Sequence, residues 1–103
     1  MLWRQGDVFI QTVDAIPAEA RQTPLPHGVL AYGEVTGHSH RFDDLQCASL
    51  FAGRTAGEIF VEVSGNVARI VHEEHGAIAL QPGSYRVWRQ REYSPEAIRI
   101  VTD

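Results

Sequence analysis

The sequence predicts an all-β fold, a small single-domain antiparallel barrel or sandwich of about seven or eight short strands over residues 1–103. Three observations predict it. Runs rich in β-branched and aromatic residues recur about every ten residues. Glycine and proline separate these runs, and no window carries the periodicity of a long helix. The length allows one core, because a linker inside so short a chain would leave neither half enough apolar surface to bury.

Each element follows from its local residues. Asp7 to Ile16 carries Val8, Phe9, Ile10, Thr12, Val13 and Ile16 and ends at Pro17, which predicts a strand. Ala18 to Arg21 has room for one helical turn. Thr23 to Gly28 holds Pro24, Pro26 and Gly28 and reads as a loop. Val29 to Thr36 is extended and runs into Gly37-His38-Ser39-His40. Leu45 to Ala52 is a further strand, followed by a turn region at Gly53 and Gly57.

The clearest alternation lies in Glu58 to Ser64. Ile59, Val61 and Val63 face one way, Glu58, Glu62 and Ser64 the other, and Phe60 interrupts the polar face. Gly65-Asn66 tolerates positive φ, and Val67 to His72 begins a second alternating run, so a β-hairpin is expected here. His72-Glu73-Glu74-His75-Gly76 is a polar turn, Ala77 to Leu80 a short strand and Pro82-Gly83 a tight turn. Ser84 to Tyr93 reads as a long strand, and Ala97 to Thr102 closes the chain after Pro95.

The composition is that of an ordinary globular protein, 44% hydrophobic and 21% charged. The formal net charge of −4 makes nonspecific binding to nucleic acid an unfavoured function. All nine basic residues are arginine, which a GC-rich coding sequence explains without invoking function. Cys47 is the single cysteine. It excludes an internal disulfide and, inside the apolar stretch Leu45 to Phe51, is expected as a small buried hydrophobe. The chain turns polar at Arg4, and no apolar run approaches the roughly 20 residues of a membrane span. A cytoplasmic protein without membrane contact is therefore expected.

Four of the five histidines fall in two tight pairs, His38/His40 and His72/His75. On an extended backbone residues i and i+2 point to the same face, so His38 and His40 can converge on one ion. His72 and His75 converge only on a helix or a tight turn, and the polar sequence between them predicts a turn at the end of a hairpin. Imidazole suits zinc, nickel, iron and copper. Glu34, Asp43, Asp44 and Glu73 are candidate oxygen ligands or acceptors for an imidazole N–H. The alternative is that these histidines lie on the surface or hold turns together. His27, between Pro26 and Gly28, reads as a plain loop residue.

Ser84 to Tyr93 combines three arginines with Tyr85, Trp88 and Tyr93. On a regular strand Arg89 and Arg91 share a face and can grip an anion. Alternatively the arginines make cross-strand ion pairs with glutamates such as Glu58 and Glu62. Base stacking on an arginine and aromatic face through Arg86, Trp88, Arg89 and Arg91 is a third use.

Four motifs appear in order: Gln5-Gly6-Asp7-Val8, Gly33-Glu34-Val35-Thr36-Gly37-His38-Ser39-His40, His72-Glu73-Glu74-His75, and Arg89-Gln90-Arg91-Glu92-Tyr93 followed by Pro95. Through them the chain resembles, over nearly its whole length, a family of small uncharacterised bacterial and phage proteins. That resemblance implies no activity and carries over no catalytic residue. A weaker resemblance is to cupins, small barrels with an HxH metal motif. Here only four residues separate Gly33 from His38, Arg41-Phe42-Asp43-Asp44 stands where the cupin glutamate belongs, and Pro82-Gly83 lacks a following histidine. What this implies is an analogy of fold class.

Two function classes remain. The favoured one is a small β-barrel with a histidine-rich divalent-metal site at His38, His40, His72 and His75, any catalysis being metal-assisted hydrolysis or oxygen chemistry. The other is a noncatalytic interaction module, self-associating as a homo-oligomer, whose histidines orient loops.

Overall fold

The computed structural model describes residues 1–33 and 36–90. The fold is all-β, with two antiparallel sheets. One has six strands, in the edge-to-edge order β1 (Leu2–Gln5), β2 (Val8–Val13), β10 (Gly83–Arg89), β7 (Ile59–Val63), β6 (Ala48–Ala52) and β3 (Pro24–Leu25). The other has four, in the order β4 (Val29–Tyr32), β5 (Ser39–Phe42), β8 (Ala68–Val71) and β9 (Ile78–Leu80). The single helical turn, α1, spans Ala18–Arg21.

The two sheets share one core. Val8, Ile10, Leu50, Val61 and Val87 from the larger sheet meet Leu30, Phe42, Ile70 and Leu80 from the smaller one, all buried. Each such aliphatic side chain removed from water contributes roughly 1.5–3 kcal/mol. Phe60, which interrupts the alternation of β7, packs on the opposite face. There it joins Phe51, Ile16 and Ala20 in a second cluster that fixes α1 against the outside of the larger sheet.

The strand count exceeds the expectation, with ten strands among the described residues. Leu2–Gln5 is a strand because β2 pairs with it in register, Gln5 opposite Val8 across a tight turn at Gly6. Pro24–Leu25 lies in the expected loop yet pairs with β6. It sits at the sheet edge, where a proline without an N–H leaves no ladder bond unmade.

The hairpin expected around Gly65-Asn66 does not form. Both edges of β7 are occupied, by β6 and β10, while β8 pairs with β5 and β9. The turn instead carries the chain from one sheet to the other, with Gly65 at φ +83°. Both alternating runs face the shared core from opposite sides. Local alternation reports which side of a strand is buried and not which strand it pairs with.

The run from Ser84 forms β10 through Arg89. Arg91, Tyr93 and the strand expected over Ala97 to Thr102 lie outside the described residues, as does Glu34. Cys47 is half-buried, because it precedes β6 rather than lying inside it. Among the described residues no helix is long and apolar enough to cross a membrane.

Candidate functional site

Three connections meet at one end of the sheets: the β1–β2 turn, the segment entering β5, and the bend between β8 and β9. The histidines lie on the last two. His40 is inside β5 and His38 stands two residues before it, while His72 to His75 form the bend between the paired strands β8 and β9. The bend holds His72 and His75 at a hairpin end, as expected, whereas His38 stands outside the strand at the entry to β5, and both it and His40 meet the bend through His72. His40 and His72 rings lie 4.3 Å apart between centroids, His72 and His75 4.7 Å, His38 and His72 5.6 Å, and His40 and His75 6.1 Å. Two imidazoles on one tetrahedral ion at bond lengths of about 2.1 Å have centroids about 5.3 Å apart, a spacing within which the His40–His72 and His72–His75 pairs fall. The four rings border a cleft of about 380 Å³, together with Asp7, Gly33, Glu74 and Arg89.

His40 is the most constrained of the four. It is buried, and its Nδ1 lies 2.9 Å from Oε1 of Gln5, also buried. The Gln5 amide nitrogen donates to the carbonyls of Ile70 at 3.2 Å and Gly76 at 2.9 Å. Carbonyls only accept, so the orientation of the amide is settled and Oε1 must accept from His40. The Nδ1 of His40 is consequently protonated, and in the neutral ring Nε2 carries a lone pair. Burial, reinforced by His72, pushes the His40 pKa down to about 4.

Nε2 of His40 lies 3.6 Å from Oδ1 of Asp7. The other Asp7 oxygen, Oδ2, accepts from Arg89 Nη2 at 2.8 Å and Nε at 3.3 Å. Burial alone would raise the Asp7 carboxyl, but the Arg89 hydrogen bonds and charge hold it below the usual carboxylate range. The Gln90 N–H donates to the Asp7 carbonyl at 2.8 Å, fastening the end of β10 to the β1–β2 turn. Gly6 adopts φ +59°, and a Cβ there would stand 2.8 Å from Nε2 of His75. The turn can lie beneath the histidines only because this position is glycine.

The outer wall is organised differently. Ligand atoms of His38, His72 and Glu73 lie within 4.8 Å of one another. Glu73, however, is engaged on both oxygens, accepting from the Ser39 N–H at 3.0 Å and from Arg41 at 3.0 Å. These contacts, the Ser39 N–H foremost, hold its pKa down to about 2. Nδ1 of His72 accepts the Glu74 N–H at 3.0 Å, and burial followed by the charge of His75 lowers its pKa. Nδ1 of His38 is enclosed without a hydrogen bond, 3.6 Å from Oε1 of Glu74.

Some expected participants stand elsewhere. Asp43 faces Arg69 at 3.8 Å, and Asp44 accepts the Gln46 N–H in a turn. His27 accepts the Val29 N–H at 3.2 Å, as a loop residue does. Arg89 borders the cleft, bound to Asp7. Arg86 makes the cross-strand ion pair with Glu58, at 2.5 Å, whereas Glu62 pairs with Arg21. Trp88 stacks on Phe9 with ring centroids 5.6 Å apart, and the Arg86 guanidinium lies 4.5 Å from its ring.

Gln5, Gly6, Asp7 and Glu74 were not among the expected site residues. The only sequence signal for the first three was their place in the Gln5-Gly6-Asp7-Val8 motif; their nearness to the histidines is a product of the fold. A hollow of about 500 Å³ lies away from this site between α1 and Phe60, and its Glu19 and Arg54 are paired with each other.

Residues 4–90 match a family described as Domain of unknown function (DUF8820). No curated protein and no solved structure matches the chain.

Proposed function

The chain belongs to the DUF8820 family, whose description assigns no activity, and we propose from its site that it is a divalent-metal-binding domain. The observation that carries this reading is the convergence of His38 and His40, at the start of β5, and His72 and His75, in the β8–β9 bend, onto one cleft. Imidazoles favour zinc, nickel, iron or copper over magnesium or calcium. Three protein ligands with the fourth position open to the cleft make a catalytic type of site, suited to activating a bound water or oxygen.

The test is metal analysis of the chain produced without a histidine tag. About one equivalent of metal is expected, with loss in His38→Ala/His72→Ala. Less than about a tenth of an equivalent, unchanged in the double variant, overturns the reading.

One observation favours a noncatalytic interaction module instead. His40 joins β5 to Gln5 and, through it, to β8 and the bend, a purely architectural use. On that reading the histidine variants lose stability and take up no less metal than the unaltered chain.

A further inference from the structure

We propose that the ion is held by His38, His72 and Glu73, so that Glu73 is a ligand and His40 is not. This rests on the metal-binding reading and names the three side chains that carry it.

His38, His72 and Glu73 bring one ligand atom each to within 4.8 Å of one another, and among the described residues no other trio of histidine, cysteine, aspartate or glutamate does so. Ligands about 2.1 Å from a tetrahedral ion stand about 3.4 Å apart, so the longest separation closes by about 1.4 Å or less. Glu73 is exposed and both rings are half-buried, which leaves their side chains room for that movement. The His38 and His72 centroids, 5.6 Å apart, are already near the roughly 5.3 Å of two imidazoles on one such ion. A second observation points to a ligand at the same place. Nδ1 of His38 is enclosed and makes no hydrogen bond, alone among the buried side-chain nitrogens and oxygens of the described residues. Enclosed polar atoms without a partner are rare, and a bound ion is one of the few things that account for them.

The start of β5 brings the carboxylate to this place. Oε1 of Glu73 accepts the N–H of Ser39, the residue after His38, at 3.0 Å, and Oε2 accepts from Arg41 at 3.0 Å. The same Arg41 nitrogen donates to the Ser39 carbonyl at 2.8 Å. Glu73 of the β8–β9 bend is thereby fastened beside His38. Each carboxylate oxygen has two lone pairs, and each of these bonds uses one. A remaining lone pair can go to the ion, with Ser39 and Arg41 as positioning residues behind the ligand, as is usual for carboxylates in metal sites. His72 gives up one bond, because its Nδ1 accepts the Glu74 N–H at 3.0 Å and ligation through either ring nitrogen ends that. His40, by contrast, is buried and committed to Gln5 at 2.9 Å. Two imidazoles and one carboxylate, with a further position open, form the ligand set that zinc and ferrous iron share.

The experiment titrates the full chain with zinc against a chromophoric chelator, unaltered and as Glu73→Gln, His38→Ala and His40→Gln, with affinity taken per folded chain. Glu73→Gln and His38→Ala are each expected to weaken zinc binding by more than about tenfold, and His40→Gln to leave it within about threefold. Carbon-13 carboxyl spectra of the unaltered chain separate ligation by Glu73 from mere anchoring of the bend, and keep the inference testable if Glu73→Gln fails to fold. The Glu73 carboxyl signal is expected to shift as zinc is added and to stop moving at about one equivalent. Three results overturn the assignment and leave the metal reading standing: equal zinc affinity in Glu73→Gln, a zinc-loaded unaltered chain whose Glu73 carboxyl does not shift, or a loss in folded His40→Gln as large as that in His38→Ala. No zinc binding by the unaltered chain overturns both.

Discussion

The amide of Gln5 accepts the Nδ1 proton of His40 at 2.9 Å, and both side chains are buried. One residue of β1 in the larger sheet thereby holds a ring of β5 in the smaller. The same amide also ties down Ile70 of β8 and Gly76 beyond the bend. Replacing Gln5 by leucine leaves the imidazole N–H and two carbonyls without this partner. Each polar group left bare in a buried site costs about 1–3 kcal/mol. With partial relaxation, a total of about 2–4 kcal/mol is expected, read as a lower urea midpoint at unchanged slope. A loss under about 0.5 kcal/mol would show that the bridge is dispensable.

Stability of the metal-free chain should fall on acidification in two stages. His40 has its pKa lowered from 6.5 to about 4 in the folded chain. The unfolded state therefore binds the proton more readily between these values, so the His40 contribution is complete above pH 6.5 and lost as pH falls through about 4. The shift corresponds to roughly 3 kcal/mol. Glu73, lowered from 4.5 to about 2, acts with the same sign in the window below it. Urea midpoints across this range test both. His40→Gln should flatten the upper stage, and a slope retained in that variant would assign the stage to another group.

Gly6→Ala should lower both stability and metal uptake. Positive φ costs an L-residue roughly 1–2 kcal/mol, and the added methyl would stand 2.8 Å from Nε2 of His75. Thermal unfolding reads the first effect and cobalt titration the second. Unchanged uptake in the folded variant would mean that the β1–β2 turn does not support the site.

Phe60→Ala provides the converse. Its ring anchors α1 on the face of the larger sheet away from the shared core, and truncating a buried phenylalanine costs about 3–5 kcal/mol. Uptake per folded chain should stay unchanged. A drop in uptake would couple the outer cluster to the cleft, for which no contact is seen among the described residues.

Much of this was legible in the sequence, and the misses share a cause. The alternation of Ile59, Val61 and Val63 identifies β7 and its inward face, because period two is a local property of a strand. The partners of β7 are decided by which edges the rest of the chain fills, so Gly65-Asn66 looked like a hairpin and is a crossing between sheets. The histidine pairs were visible because spacings of two and three map onto a strand and a bend. Asp7 was not, since it reaches His40 from another sheet through a turn whose shape depends on Gly6. Likewise Phe60 looked like a defect in a polar face when it is the anchor of α1.

The most direct measurement is an anomalous-difference map from crystals of the full chain soaked in zinc, recorded at the zinc absorption edge. The expected result is one strong peak in the cleft, within about 2.0–2.2 Å of imidazole nitrogens among His38, His40, His72 and His75. A map with zinc at surface groups such as His27 and no peak among His38, His40, His72 and His75 would contradict it.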